Sequence, residues 1–216
     1  MAGSQDRERR RLVTAVEKRL AGDGSVPPGF AADLFARVSL EDFAACPPET
    51  LAASVRAAAA LLGKRIPGRP LVRIVDEGAD DGPPQDAVTL VAILNDNMPF
   101  LVDSILGELQ DAGASIRLVA HPILTVLRDR RGRLLAFHGT GAGPDGAIRE
   151  SLIHVLVALP GKAEREALRQ RLESLLAEAS PEAELDESQF SAQLDAALRR
   201  LSPMVRGVLF LKLRDG

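Results

Sequence analysis

The segment Ala87–Leu94 constrains this chain more than any other feature, because it is apolar at almost every position. A half-buried strand alternates apolar and polar residues, since successive side chains point to opposite faces of a sheet. A run without a polar face belongs at the centre of a sheet. The residues that follow fix what comes next. Asn95-Asn97 reads as a polar turn, and Pro99 stands where the first turn of a helix needs no N–H. Leu101, Val102, Ile105, Leu106 and Leu109 then share one helical face, and Gly113 is placed to close the helix.

Extending the reading in both directions gives an order of elements. Ser115–Arg128 predicts a long strand, Asp129–Gly132 a turn, and Arg133–His138 a returning strand. Gly139–Gly146 is a loop, Ser151–Leu159 another strand, and Lys162–Ala179 an amphipathic helix with Leu168, Leu172, Leu175 and Leu176 in register. Strand, helix, strand, strand, helix is most of a βαββαβ unit, the ferredoxin-like arrangement. A fourth strand is expected after Ala179, from either Glu182–Leu185 or Val208–Leu213, the two separated by a helix over Ser188–Leu201.

The first third reads as helices. Leu12, Val13, Val16 and Leu20 recur at helical spacing before Gly22-Asp23-Gly24, and Pro27-Pro28-Gly29 forms a turn. Ser39 with Asp42 resembles an N-cap. Glu49–Leu62 is a helix with Leu51, Val55, Ala58, Ala59 and Leu62 on one face, ended by Gly63 and Pro67-Gly68. Leu71–Val75 suits a short strand, and Asp76–Asp86 is an acidic loop rich in Gly and Pro. The expected organisation is α+β: a helical segment over 1–69, a ferredoxin-like domain over 70–185, and a helical tail over 186–216.

Composition narrows the function. The chain has 216 residues, 46% of them hydrophobic, with seven Phe and neither Tyr nor Trp, so the core is aliphatic. A net charge of −3 argues against nucleic acid, where a basic face supplies most of the affinity, and the aromatic platforms for single strands are missing. The basic run Arg7–Arg11 is broken by Glu8 and reads as a solvated helix start. No apolar run reaches the ~20 residues that span a bilayer, and the charged N-terminus is unlike a signal peptide, so a cytoplasmic location is expected. The single cysteine, Cys46, reads as a structural thiol.

Few residues suggest chemistry. Asp76, Glu77, Asp80 and Asp81 lack the Gly-turned register of a calcium loop, so no metal site is expected. His121 and His154 fall on strands that should be neighbours, and a metal there needs a third ligand and rings that face each other. Both read instead as hydrogen-bonded sheet histidines, and His138 adds nothing to a site. No Ser or Cys nucleophile motif accompanies any of the three. Gly141-Ala142-Gly143-Pro144-Asp145-Gly146 matches G-x-G-x-x-G literally, but it precedes a strand and contains Pro144, so it reads as a loop. Asp103 and Ser104 read as structural, and the outer face of Lys162–Ala179, with Arg165, Glu166, Arg169 and Gln170, as solvated.

The stretch Asn95-Asp96-Asn97-Met98-Pro99-Phe100-Leu101-Val102-Asp103-Ser104-Ile105 resembles the start of the first helix in the N-terminal ACT-like domain of the large bacterial NAD-dependent glutamate dehydrogenases. Leu34–Val38 with Leu40–Phe43, Pro70–Ile74, His121–Leu124 and Glu150–Val155 agree with that family in order and spacing. The resemblance covers Asp33–Ala179 and implies a regulatory or assembly module, with no catalytic residue of its own. It implies that NAD and glutamate bind elsewhere in a longer enzyme, so no cofactor is expected here. The expected partners are a second copy of the chain, an amino-acid effector and, if the chain is a fragment of the longer enzyme, a downstream catalytic domain; the alternative is a stand-alone ACT-like oligomerisation scaffold with no small-molecule ligand. ACT domains hold amino acids at the loop before the first helix, which here is Asn95, Asp96, Asn97, Met98, Pro99 and Phe100. Phe100 departs from the pattern, which has a glycine after the proline.

Overall fold

The computed structural model describes residues 2–76, 88–98, 101–158 and 162–178. Helices α1 (Ala2–Leu20), α2 (Phe30–Phe35), α3 (Leu40–Ala45) and α4 (Pro48–Leu62) come first. Strands β1 (Leu71–Asp76) and β2 (Thr89–Asp96) follow, then α5 (Leu101–Asp111), β3 (Ser115–Ala120), β4 (Ile123–Arg128), β5 (Leu134–Phe137), β6 (Ile148–Ala158) and α6 (Lys162–Glu178). The described residues up to Ala177 form one compact unit.

All the strand pairs are antiparallel, and the sheet runs β1-β2-β6-β4-β5, with β3 also paired to β6. The fold is therefore α+β and ferredoxin-like in its β2-α5-β3/β4-β6-α6 path. β3 and β4 occupy the span expected for one long strand. They divide at His121-Pro122 because proline has no N–H to give to a ladder. Its carbonyl still accepts from Leu152 N at 3.1 Å, so both halves stay on β6.

The place beside β2, where a strand after α6 would complete the βαββαβ sheet, is taken by β1. Leu71 pairs with Leu94 and Asp76 with Thr89. Both segments weighed for that fourth strand, Glu182–Leu185 and Val208–Leu213, lie outside the described residues, as do the Ser188–Leu201 helix and the acidic loop beyond Asp76.

The apolar run of β2 is buried at every position from Thr89 to Asn95. Its side chains divide between two layers. Leu90, Ala92 and Leu94, with Leu152 and Leu156 of β6, pack under α1–α4. Val91 and Ile93, with Ile153, Val155 and Val157, pack under Ile105 and Leu109 of α5 and Leu168, Leu172 and Leu176 of α6. Each such Leu, Ile or Val contributes about 1.5–3 kcal/mol by leaving water. The sheet is thus sandwiched between two helical layers. The layer α1–α4 is held by Val16, Phe30, Phe35, Phe43, Val55 and Leu62, all at 0% exposure. Ser39 caps α3 as expected: its Oγ accepts from Asp42 N at 3.0 Å.

Candidate functional site

The expected polar turn begins later than its sequence suggests. Asn95 and Asp96 remain in β2, paired with Ser151 and Glu150. Chain alternation therefore sends Asp96 toward the α1–α4 side and Asn95 toward the α5 side of the sheet end.

On the α1–α4 side lies a buried cluster of charges. Arg65, just past α4, is 1% exposed, and Glu150 is fully buried. Arg65 donates to Glu150 Oε1 at 2.8 Å and to Asp96 Oδ1 at 2.7 Å. Arg128 of β4 grips both oxygens of Glu150, from Nε and Nη2, each at 2.7 Å. Two guanidinium groups thus face two carboxylates, and the planar fork of arginine suits the bidentate contact. The remaining donors are used as well. Arg65 Nε reaches Arg69 O at 3.1 Å and Arg128 Nη1 reaches Leu62 O at 2.8 Å, where a cation favours the carbonyl end of α4. Asp96 Oδ2 accepts from Gly68 N at 2.8 Å.

The backbone locks this cluster in place. Arg65 N donates to Gly132 O at 2.9 Å and Leu134 N to Gly63 O at 3.0 Å, so the exit of α4 pairs with the β4–β5 turn. Gly132 has φ 77°, and a Cβ there would stand 2.3 Å from Arg65 O. One constellation therefore ties the end of α4, the β4–β5 hairpin and the end of β2 together. No local sequence signal announces it: Arg65 and Glu150 are 85 residues apart.

On the α5 side the polar groups are sparser. His121 Nε2 lies 2.8 Å from Ser151 Oγ, and Ser151 pairs with Asn95 on one side and Ile123 on the other. Burial pushes the His121 imidazole below its usual pKa, and the carboxylate of Asp103 opposes that shift. The sequence offers His121 no nucleophile motif, yet the ladder brings it Ser151. That serine is 1% exposed in mid-strand, which suits a hydrogen-bond partner better than an attacking group. Asn95 Nδ2 contacts Met98 Sδ at 3.5 Å and its Oδ1 faces Arg65 at 3.4 Å. Asn97 is exposed, as are Asp103 and Ser104, while Pro99 and Phe100 lie outside the described residues.

The two strand histidines do not face each other. His154 pairs with Ala120, so the neighbouring His121 points to the opposite side of the sheet. The hydrogen-bonded reading holds for His121 and fails for His154, whose Nδ1 and Nε2 are both buried without a partner among the described residues. Its ring sits edge-on to Phe35 under the helical layer. His138 is exposed, and Gly141–Gly146 forms part of the β5–β6 connection. The Cys46 thiol is half-buried, and burial raises its pKa, helped by Asp42 and opposed by Arg117.

Comparison with known proteins points to one family. Residues 30–172 match the family model described as "Glutamate dehydrogenase, ACT1 domain". The match starts at Phe30, so α2, α3 and α4 lie inside it and α1 outside. The NAD-specific glutamate dehydrogenase of Halomonas elongata is 30% identical over 149 residues, 68% of this chain and 9% of that protein. The NAD-specific glutamate dehydrogenase of Pseudomonas aeruginosa is 30% identical over 146 residues, 67% of this chain and 9% of that protein. No solved structure matches. The chain thus spans about a tenth of the length of these relatives, and with well over half its residues inside the family model it belongs to the glutamate dehydrogenase ACT1 family.

Proposed function

We propose that this chain is the regulatory and assembly region of an NAD-dependent glutamate dehydrogenase, contributing control and subunit contacts and not catalytic groups. In the parent reaction glutamate is oxidised to 2-oxoglutarate and ammonia with NAD, bound by parts of the enzyme outside this region. The region works in the cytoplasm as a homo-oligomer joined to the catalytic part, and its effector is an amino acid or related metabolite held at the segment Asn95–Phe100. Such an effector shifts activity only through its preference for one assembly state.

The observation that carries this reading is the buried Arg65–Asp96–Glu150–Arg128 cluster, which anchors the end of β2 to both α4 and the β4–β5 hairpin. A loop held so firmly at its base transmits a change at its tip to the helical layer. The same cluster also redistributes the roles within the segment. Asp96 is spent on Arg65, and Asn95 on Arg65 and Met98. The exposed Asn97, and the N-terminus of α5 with its positive dipole end, are left for the effector's polar ends.

Isothermal titration of the purified chain with a panel of amino acids and 2-oxoglutarate tests this directly. Saturable heat that Asn97→Ala diminishes, with the fold intact, supports a sensor at this loop. No heat from a folded, dimeric protein overturns the sensor and leaves an oligomerisation scaffold.

A further inference from the structure

Among the described residues, the interface between the sheet and the α1–α4 layer contains a buried polar group that nothing satisfies. His154 stands in the middle of β6, at 0% exposure, on the side of the sheet that the helical layer covers. It is flanked across the ladder by Ala92 on β2 and Ala120 on β3. Those two small side chains leave room for the ring, and Phe35 of α2 closes over it with ring centroids 6.0 Å apart. Neither ring nitrogen has a hydrogen-bond partner among the described residues. An aliphatic side chain would fit this setting without leaving a buried donor unmatched.

The charged groups around it are engaged elsewhere. On its own strand Glu150 is held by Arg65 and Arg128. Arg9 of α1 donates to Phe35 O at 2.8 Å, and Asp33 of α2 accepts from Thr140. Asp42 of α3 and Arg117 of β3 act on Cys46, and Glu49 and Arg56 of α4 pair outward with Arg19 and Asp23. None of these groups contributes to the titration of His154, whose pKa falls to about 3 through burial alone.

We infer that His154 is a proton-sensitive latch. The helical layer stays on the sheet while the ring is neutral, and protonation favours a state in which α2 lifts and water reaches the ring. A buried imidazolium here would have neither counterion nor acceptor, so the proton can be taken up only when the cover opens. Opening would expose the apolar side chains around it, among them Leu118, Leu152 and Leu156, which are part of the covered face. Mild acidification is thereby converted into exposure of this face of the sheet. This inference is independent of the effector reading, because it needs no ligand and lies away from the β2–α5 loop.

Amide exchange followed by mass spectrometry between pH 7.5 and 5 tests it, with rates normalised to unstructured peptides. The chain is compared with His154→Gln, which stays polar but neutral, and His154→Leu, which is apolar. Below pH 6.5 the opening of α2 in the unsubstituted chain should rise by up to tenfold per pH unit. Both variants should stay flat, while β2 and β6 remain protected in all three. Parallel pH profiles in the chain and either folded variant would overturn the latch, and so would simultaneous opening of α2 and β6 in one global event. If both variants fail to fold, the histidine signals of the unsubstituted chain decide. His154 titrating near 6.5 without loss of helical-layer protection contradicts the inference, whereas protonation that coincides with that loss supports it.

Discussion

Four residues apart on β6, the same covered side of the sheet treats two polar side chains in opposite ways. Glu150 is buried with two arginines on its oxygens. His154 is buried with none of the described residues on its nitrogens. Burial by itself is therefore not what decides whether a polar group is tolerated. Charges at the β2–β6 end survive because each meets an opposite charge or a carbonyl at hydrogen-bond distance. The imidazole survives because it can remain neutral, which is an option open to a histidine and closed to an arginine. The first arrangement stiffens the junction of α4, β2 and the β4–β5 hairpin. The second makes the cover over the sheet sensitive to acid.

The largest expected effect comes from breaking the partnered set. Glu150→Ala leaves Arg65 and Arg128 facing each other without their shared carboxylate, and should cost about 3–5 kcal/mol in urea unfolding followed by circular dichroism. Gly132→Ala attacks the same junction through the backbone. Its positive φ and the Arg65 carbonyl in the way predict a loss of about 1–3 kcal/mol, enough to lower the melting temperature by several degrees.

His154→Leu should run the other way, stabilising the fold by about 1–2 kcal/mol near pH 7.5 by removing an unmatched buried donor. The pH dependence sharpens the contrast. The folded ring titrates at about 3, while the unfolded ring follows the ordinary value near 6.5. Between those limits the unfolded chain binds the extra proton. The stability of the unsubstituted chain should therefore be complete above pH 6.5 and fall as the pH drops toward 3. The same unfolding series at pH 7.5, 6 and 5 should show the gain from His154→Leu growing as the pH falls. The smallest effect expected is that of Ser39→Ala, about 1 kcal/mol from the lost cap of α3, with no dependence on either site.

How much of this was readable from the chain follows the range of each interaction. The burial of β2 on both faces was legible because a period-two pattern with no polar phase has one solution. The cap at Ser39, the stripe Leu101, Ile105 and Leu109, and Gly113 with its φ of 71° are likewise local. The break at His121-Pro122 was legible in principle, since proline cannot donate to a ladder. What stayed hidden is long-range. Nothing near Arg65 foretells Glu150, and nothing near Leu71–Asp76 says that this strand takes the place beside β2. Asn95 and Asp96 look like turn residues by composition, but pairing with Ser151 and Glu150 keeps them in the sheet. That shift of two residues moves Asp96 from the exposed loop into an ion pair, which changes what the candidate effector site has to work with.

Asp96→Asn separates the two roles that its position allows. The account assigns Asp96 to Arg65 and assigns Asn97 and the start of α5 to the effector. Unfolding in urea and titration with amino acids, run on the same Asp96→Asn preparation, should show a clear loss of stability with saturable heat retained. Unchanged stability with the heat abolished would place Asp96 on the ligand and contradict the structural role given to the cluster.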